Sequence, residues 1–177
     1  MRIRYLFILG LIILLASCLG SGKSNLKPKH APSSLIESFL VGKDSMLYFI
    51  SLDKFINKTP KEEMIVDFTY LDIKPNPSNQ IKMSFSIISN EHFKDLKKIT
   101  LKSGAESYDA SGLNFMFVEP VHKTKIKTRF HVMIPKTVLE KFAREEPFRV
   151  ITDNSHEFIS GRKWKSESSA LKIMLLN

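Results

Sequence analysis

One cysteine and five histidines are the side chains of this chain best suited to nucleophilic or metal chemistry. A single cysteine, Cys18, excludes both an intramolecular disulfide and a cysteine metal cluster. The histidines are scattered: His30 lies in a polar stretch, His92 and His156 fall at expected turns, and His122 and His131 bracket an expected strand. None forms H-E-x-x-H or H-x-H, the spacings that turn two imidazoles to one side of an element. They read as separate surface histidines, and no metal site is expected. Glu62-Glu63 and Glu145-Glu146 abut element ends marked by lysine or proline and read as solvated caps rather than acid/base pairs. There is no G-x-S-x-G nucleophile turn, and Ser111-Gly112 after Tyr108-Asp109 reads as turn chemistry. With only seven glycines no phosphate-cradling loop appears. The expectation is a non-enzyme with no catalytic residues and no cofactor.

One pattern stands out. From Lys123 to Ile134 the odd positions read Lys123, Lys125, Lys127, Arg129 and His131, and the even positions read Thr124, Ile126, Thr128, Phe130, Val132 and Ile134. Successive strand side chains point to opposite faces, so this spacing predicts a basic row with side chains about 7 Å apart, backed by a core-facing row. Like charges so close repel unless solvent or an anion screens them. Two readings stay open. Lysines on an exposed strand discourage sheet-to-sheet aggregation. Alternatively the row is a docking ridge for a polyanion, such as an anionic glycan, an anionic lipid surface or an acidic envelope protein. Lys97, Lys98, Arg162, Lys163 and Lys165 would extend it if the fold brought them near. The row has no interleaved aromatics for base stacking, which argues against nucleic acid.

Charge as a whole agrees. The formal net charge is +9, yet five of the 27 Lys/Arg precede Leu35, leaving 22 against 18 Asp/Glu from there on. The remainder is mildly basic, not a polycation. Hydrophobic residues at 43% and charged residues at 25% are globular proportions.

The first residues, MRIRYLFILGLIILLASC, have the three parts of an export signal. Arg2 and Arg4 form the basic start, Tyr5 to Leu15 the apolar run, and small residues lead to a cleavage point. Leu15-Ala16-Ser17-Cys18 resembles the lipobox of bacterial lipoproteins. That resemblance implies a diacylglyceryl group on the Cys18 thiol, cleavage before it, and an acylated new amino terminus. Acyl chains, at roughly 0.8 kcal/mol per buried CH₂, would hold the protein on a membrane. Leu19 to Ser34 has no acidic residue and is rich in Gly, Ser, Pro and Lys, a flexible tether with a span of roughly 20 Å. The tether and the Lys-, Ile- and Asn-rich composition resemble spirochaete-type tethered lipoproteins, many of them displayed on the cell surface. Leu19 rather than aspartate after the cysteine favours the outer over the inner membrane.

The expected organisation is a signal over 1–17, a lipidated cysteine and tether over 18–34, and one β-rich domain over 35–177. Ser34-Leu35-Ile36-Glu37 looks like a capping box opening a helix that Gly42 closes. Met46–Ser51 reads as a buried strand. Alternation on either side of KPNPSNQ (Met64, Val66, Phe68, Tyr70, then Ile81, Met83, Phe85, Ile87) predicts a hairpin. Further strands are expected at 98–102, 106–109 and 113–118. Thr137-Val138-Leu139-Glu140 looks like a second capping box, opening a helix that Pro147 stops. Phe148–Thr152 and His156–Ser160 flank Asp153-Asn154-Ser155 as another hairpin, and Leu171–Leu176 packs as helix or strand. The fold class is mainly β: an antiparallel, β-sandwich-like domain with two or three short helices. Its function is expected to be that of a membrane-anchored envelope lipoprotein acting by contact through the basic strand face. The alternative is a structural or assembly lipoprotein acting through a protein partner.

Overall fold

The computed structural model describes residues 35–58, 61–122 and 124–176. The expected signal, Cys18, the tether and Lys123 of the basic row lie outside these residues.

The alternating stretch Glu62–Ile73 forms β4, the longest strand, and Gln80–Ser89 forms β5. They pair antiparallel with Phe68 opposite Met83 and Val66 opposite Phe85. Ile126–Pro135 is β9, paired along the whole of β5 from Gln80↔Pro135 to Ser89↔Ile126. Because the side-chain period is two, this register puts all the even-numbered apolar residues of β4 and β9 on the face shared with Met83 and Phe85. Val66, Phe68, Phe85, Phe130 and Val132 are buried there, with the Phe85 and Phe130 rings stacked 5.4 Å apart.

The other strands are β1 (Ile36–Leu40), β2 (Ser45–Ser51), β3 (Phe55–Asn57), β6 (Lys98–Ser103), β7 (Glu106–Ser111), β8 (Asn114–Pro120), β10 (Phe148–Thr152) and β11 (Glu157–Ile159). All pair antiparallel in one eleven-stranded sheet, in the order β7-β6-β10-β11-β3-β4-β5-β9-β8, with β1 and β2 branching off β4. The branch exists because β4 is long enough to be shared. Its first residues pair with β3, and Asp67 to Ile73 pair with β2. The sheet curls far enough that β7, at one end of this order, touches β9 near the other. The architecture is therefore mainly β and antiparallel, as expected, with two helices among the described residues.

Those helices cover the core. Trp164–Leu176 (α2) buries Trp164, Glu167, Ser168, Ala170, Leu171, Met174 and Leu175, a spacing of three and four that forms one helical face. Trp164 stacks on Phe148 at 5.2 Å and donates its indole N–H to the Glu146 carbonyl at 2.7 Å. Lys136–Phe142 (α1) buries Leu139 and Phe142. No described helix is long and apolar enough to cross a membrane.

Three local expectations are corrected. Residues 36–40 form a strand, not a helix: β1 pairs with β2 from Ile36↔Ile50 to Leu40↔Met46. Gly42, with φ +92°, sits in the connecting turn. A helix stop and a hairpin turn both use a glycine with positive φ, so that residue could not choose between them. A capping box is worth about 1 kcal/mol, less than a paired strand with Ile36 buried. Thr137 does not cap α1. The N-cap is Pro135, whose φ of −56° and ψ of 134° end β9, and no side chain caps the helix. The helix starts two residues too early for the Thr137 hydroxyl to take the cap position, and it ends at Phe142, well before Pro147. The short strand β3 had no sequence signal.

Substitution should separate these roles. Leu139→Ala or Phe142→Ala should cost about 2–5 kcal/mol in urea denaturation. Thr137→Ala, at an exposed position without a capping bond, should change stability by less than about 0.5 kcal/mol.

Candidate functional site

The basic row begins before its strand. Lys125 precedes β9, and its Nζ lies 3.5 Å from the Lys61 carbonyl oxygen. Lys127, Arg129 and His131 do share the outward face of β9, as the alternation predicts. Lys127 and Arg129 each meet an acidic neighbour that offsets them. Lys127 is opposite Glu119 of β8 and pairs with it at 2.9 Å. Arg129 is opposite Ser86, donates to its hydroxyl at 2.8 Å, and reaches over β5 to Asp67 of β4 at 2.5 Å. Ser51 adds a contact to the other Asp67 oxygen at 3.4 Å. Burial, then the charge of Lys82, hold His131 below the usual imidazole range, so it brings no charge at neutral pH.

Of the proposed extensions of the row, Lys98, Lys163 and Lys165 lie on other elements and are paired. Lys98 on β6 bonds Asp109, Lys163 just before α2 bonds Asp53, and Lys165 on α2 bonds Glu145. Strand β8 pairs only with β9, and Phe115, Met116, Val121 and Met133, on or beside it, are exposed.

A more organised cluster lies at the other end of these strands, and the sequence did not signal it. Glu62, at the start of β4, is 2% exposed. Its Oε1 accepts the Ser89 hydroxyl at 2.8 Å; its Oε2 accepts Asn57 Nδ2 at 3.3 Å and meets His156 Nδ1 at 2.7 Å. Nδ1 is thus placed to hydrogen-bond the Glu62 carboxylate. Nε2 is 4.0 Å from Glu91 Oε2. Edge contact with Phe93, centroids 5.0 Å apart, fixes the ring from the side. The backbone is fixed as well. In the β10–β11 turn Ser155 has φ 69°, and the Thr152 hydroxyl accepts the His156 N–H at 3.0 Å. A cavity of about 360 Å³ adjoins the cluster, lined by Lys61, Glu62, Ser89, Asn90, Glu91, Thr124 and Lys125. Among the described residues no three His, Cys, Asp or Glu side chains converge as a metal-binding group.

One further carboxyl is out of reach of water. Glu167 of α2 is 1% exposed; Oε1 accepts the Asp53 N–H at 2.5 Å, while Oε2 is buried without a hydrogen-bond partner. Burial, its first cause, raises the Glu167 pKa.

Compared with protein-family models, with curated proteins and with solved structures, the chain matches none.

Two stability measurements probe this geometry. Arg129→Ala leaves Asp67 buried without its main partner and should cost about 1.5–3 kcal/mol, with less loss when Asp67→Asn is added. For Glu167 the folded pKa is raised, so its contribution is fully present below the unfolded pKa and lost as pH rises through the folded value. Glu167→Gln keeps the acceptor for Asp53 and should stabilise the protein at neutral pH. It should also flatten the fall in stability that the wild type shows as pH rises from the ordinary glutamate range.

Proposed function

We propose that this protein is a lipid-anchored module of the bacterial cell envelope, tethered through Cys18, that works by non-catalytic contact with a protein partner. The anchor reading rests on the lipobox resemblance at Leu15-Ala16-Ser17-Cys18 and on the acid-free tether after it. In this reading the curled sheet serves as a sandwich-like body, its far ends brought together where β7 meets β9.

The observation that favours a protein partner over a polyanion is the contrast on the β8–β9 side of the sheet. The row's described in-strand cations are offset by Glu119 and Asp67, whereas Phe115, Met116, Val121 and Met133 remain exposed. Phe115 and Met116 are neighbours on the edge strand β8, and exposed apolar side chains at such an edge mark contact sites. Strand β8 is irregular between Phe115 and Phe117 and ends at Pro120, features that blunt strand-to-strand pairing. Contact would thus run through side chains rather than through an added strand.

Crosslinking on intact cells tests the reading. Phe115→Asp with Met116→Asp should lose the partner adduct that the wild type gives, while Lys125→Glu with Lys127→Glu keeps it. A Cys18→Ser chain should retain its leader, carry no acyl mass and lose the adduct. The opposite pattern, with the charge-reversed protein losing its adduct and the apolar variant keeping it, would return the contact to the basic row.

A further inference from the structure

We propose that the cavity beside the β1–β2 turn and the end of β4 takes a small zwitterion, with a primary ammonium on Asp72 and an anionic group at Lys43 and Lys74. Two separate observations carry this: a buried carboxylate without a bonding partner, and exposed lysines on the same cavity.

The carboxylate comes first. Register sets Leu40, Met46 and Asp72 side by side on three strands, one step beyond Ser38, Tyr48 and Tyr70. Directly opposed residues share a face, so Asp72 continues the inward row of Val66, Phe68 and Tyr70, and it is only 4% exposed. Among the described residues it takes no side-chain hydrogen bond and no ion pair, yet it lines a cavity of about 290 Å³. A carboxylate removed from most of its water calls for donors. A primary ammonium offers three, and the Tyr48 ring on the same cavity attracts a cation through its π face. Tyr70, stacked on Tyr48, already does this within the chain: Lys136 Nζ lies 4.8 Å from its centroid. Burial, then the charge of Asp72, raises the Tyr48 pKa, so the carboxylate acts directly on the ring beside it.

The rim supplies the opposite sign. Lys43 and Lys74 are exposed, line the same cavity and form no ion pair among the described residues. The Lys74 N–H donates to the Asp44 carbonyl at 3.0 Å, which holds the two lysine-bearing segments side by side. Asp44 stands on the rim as well, so the lining carries two positive and two negative side chains. A ligand of one sign would meet an opposing charge there, whereas a zwitterion can match both. Asp72 and Lys74 are two residues apart at the end of a strand, roughly 7 Å along the backbone. That spacing suits charges joined by a short chain, as in an ethanolamine phosphodiester, better than the adjacent charges of an α-amino acid. Leu40 and Met46 on the cavity wall give such a chain an apolar contact. A free phosphodiester and a lipid headgroup share this chemistry. None of these residues belongs to β8 or β9, so the site does not depend on the contact surface proposed above.

Titration calorimetry of the full chain in a non-ionic detergent, with glycerophosphoethanolamine as the probe, tests the proposal. Wild type should bind one equivalent saturably, and ethanolamine or glycerol phosphate alone should each bind at least tenfold more weakly. Asp72→Asn should weaken binding of the whole probe by about 10–100-fold, as for the loss of a charge-assisted hydrogen bond. It should nevertheless melt no lower than wild type, because it removes a buried charge and no packing contact. Lys43→Gln with Lys74→Gln should weaken the whole probe by at least tenfold and leave the weaker binding of ethanolamine unchanged. Both lysines are exposed, so this variant keeps its fold whatever Asp72→Asn does. Phosphatidylethanolamine carried in the micelles separates the two sources: competition with the probe marks a headgroup site, and its absence marks a soluble ligand. No saturable binding by wild type, or undiminished binding by a folded Asp72→Asn protein, overturns the site. So does equal weakening by Lys125→Gln, which would show a general response to surface charge.

Discussion

Strand β4 is hydrogen-bonded on both edges, to β5 along one side and to β3 and β2 in succession along the other. A strand so placed has no freedom of register. A slip of one residue would turn Met64, Val66, Phe68 and Tyr70 out to water and bring Asp67 into the core. The same constraint passes to β9 through β5, since each pairing inherits the parity of the last. Which side chains of β9 face solvent is thus decided two strands away. The branch at β4 also fixes where the sheet divides, because β2 and β3 are successive segments of chain docked on successive stretches of one edge. Phe55 of β3 then meets Phe148 and Trp164, so the branch joins the sheet to the helix α2.

Parity explains both what the basic row is and what it is not. Alternation correctly assigned Lys127, Arg129 and His131 to one face, because that inference needs only the strand itself. Their electrostatic state depends on the cross-strand neighbours. Glu119 and Asp67 lie 8 and 62 residues away in sequence, and only register brings them to Lys127 and Arg129. A row of like charges in the sequence becomes a set of local pairs in the sheet. That arrangement limits its field at a distance, since compensated charges a few ångströms apart cancel within a Debye length of about 8 Å.

The legible and illegible parts divide along the same line. The β4–β5 hairpin, the alternation of β9 and the β10–β11 turn are local patterns, and each was readable from a window of a dozen residues. The segment from Ile36 to Leu40 carries local signals that favour a helix, while its partner β2 supplies the pairing that makes it a strand. Thr137 failed as a cap for a purely geometric reason: Pro135 closes the strand and opens the helix with no intervening loop. The strand β3 is too short to show a period at all. Glu62 and His156 are 94 residues apart, and each alone looks ordinary, one in an acidic pair at a strand start and the other in a turn.

That last pair shows how burial sorts polar residues that composition treats alike. Glu62 and Glu63 are adjacent, yet parity sends Glu63 outward to Lys54 at 2.6 Å and Glu62 inward to Ser89, Asn57 and His156. A carboxylate removed from water needs several donors, and supplying them constrains every group that donates. His156 is held in one orientation by that requirement, and the turn that carries it is closed by the Thr152 hydroxyl. Glu167 is the contrasting case. With one donor from Asp53 and one oxygen unsatisfied, it answers burial by favouring its protonated form rather than by gathering partners. Of the two buried glutamates, only Glu62 therefore imposes order on a neighbouring side chain, the ring of His156.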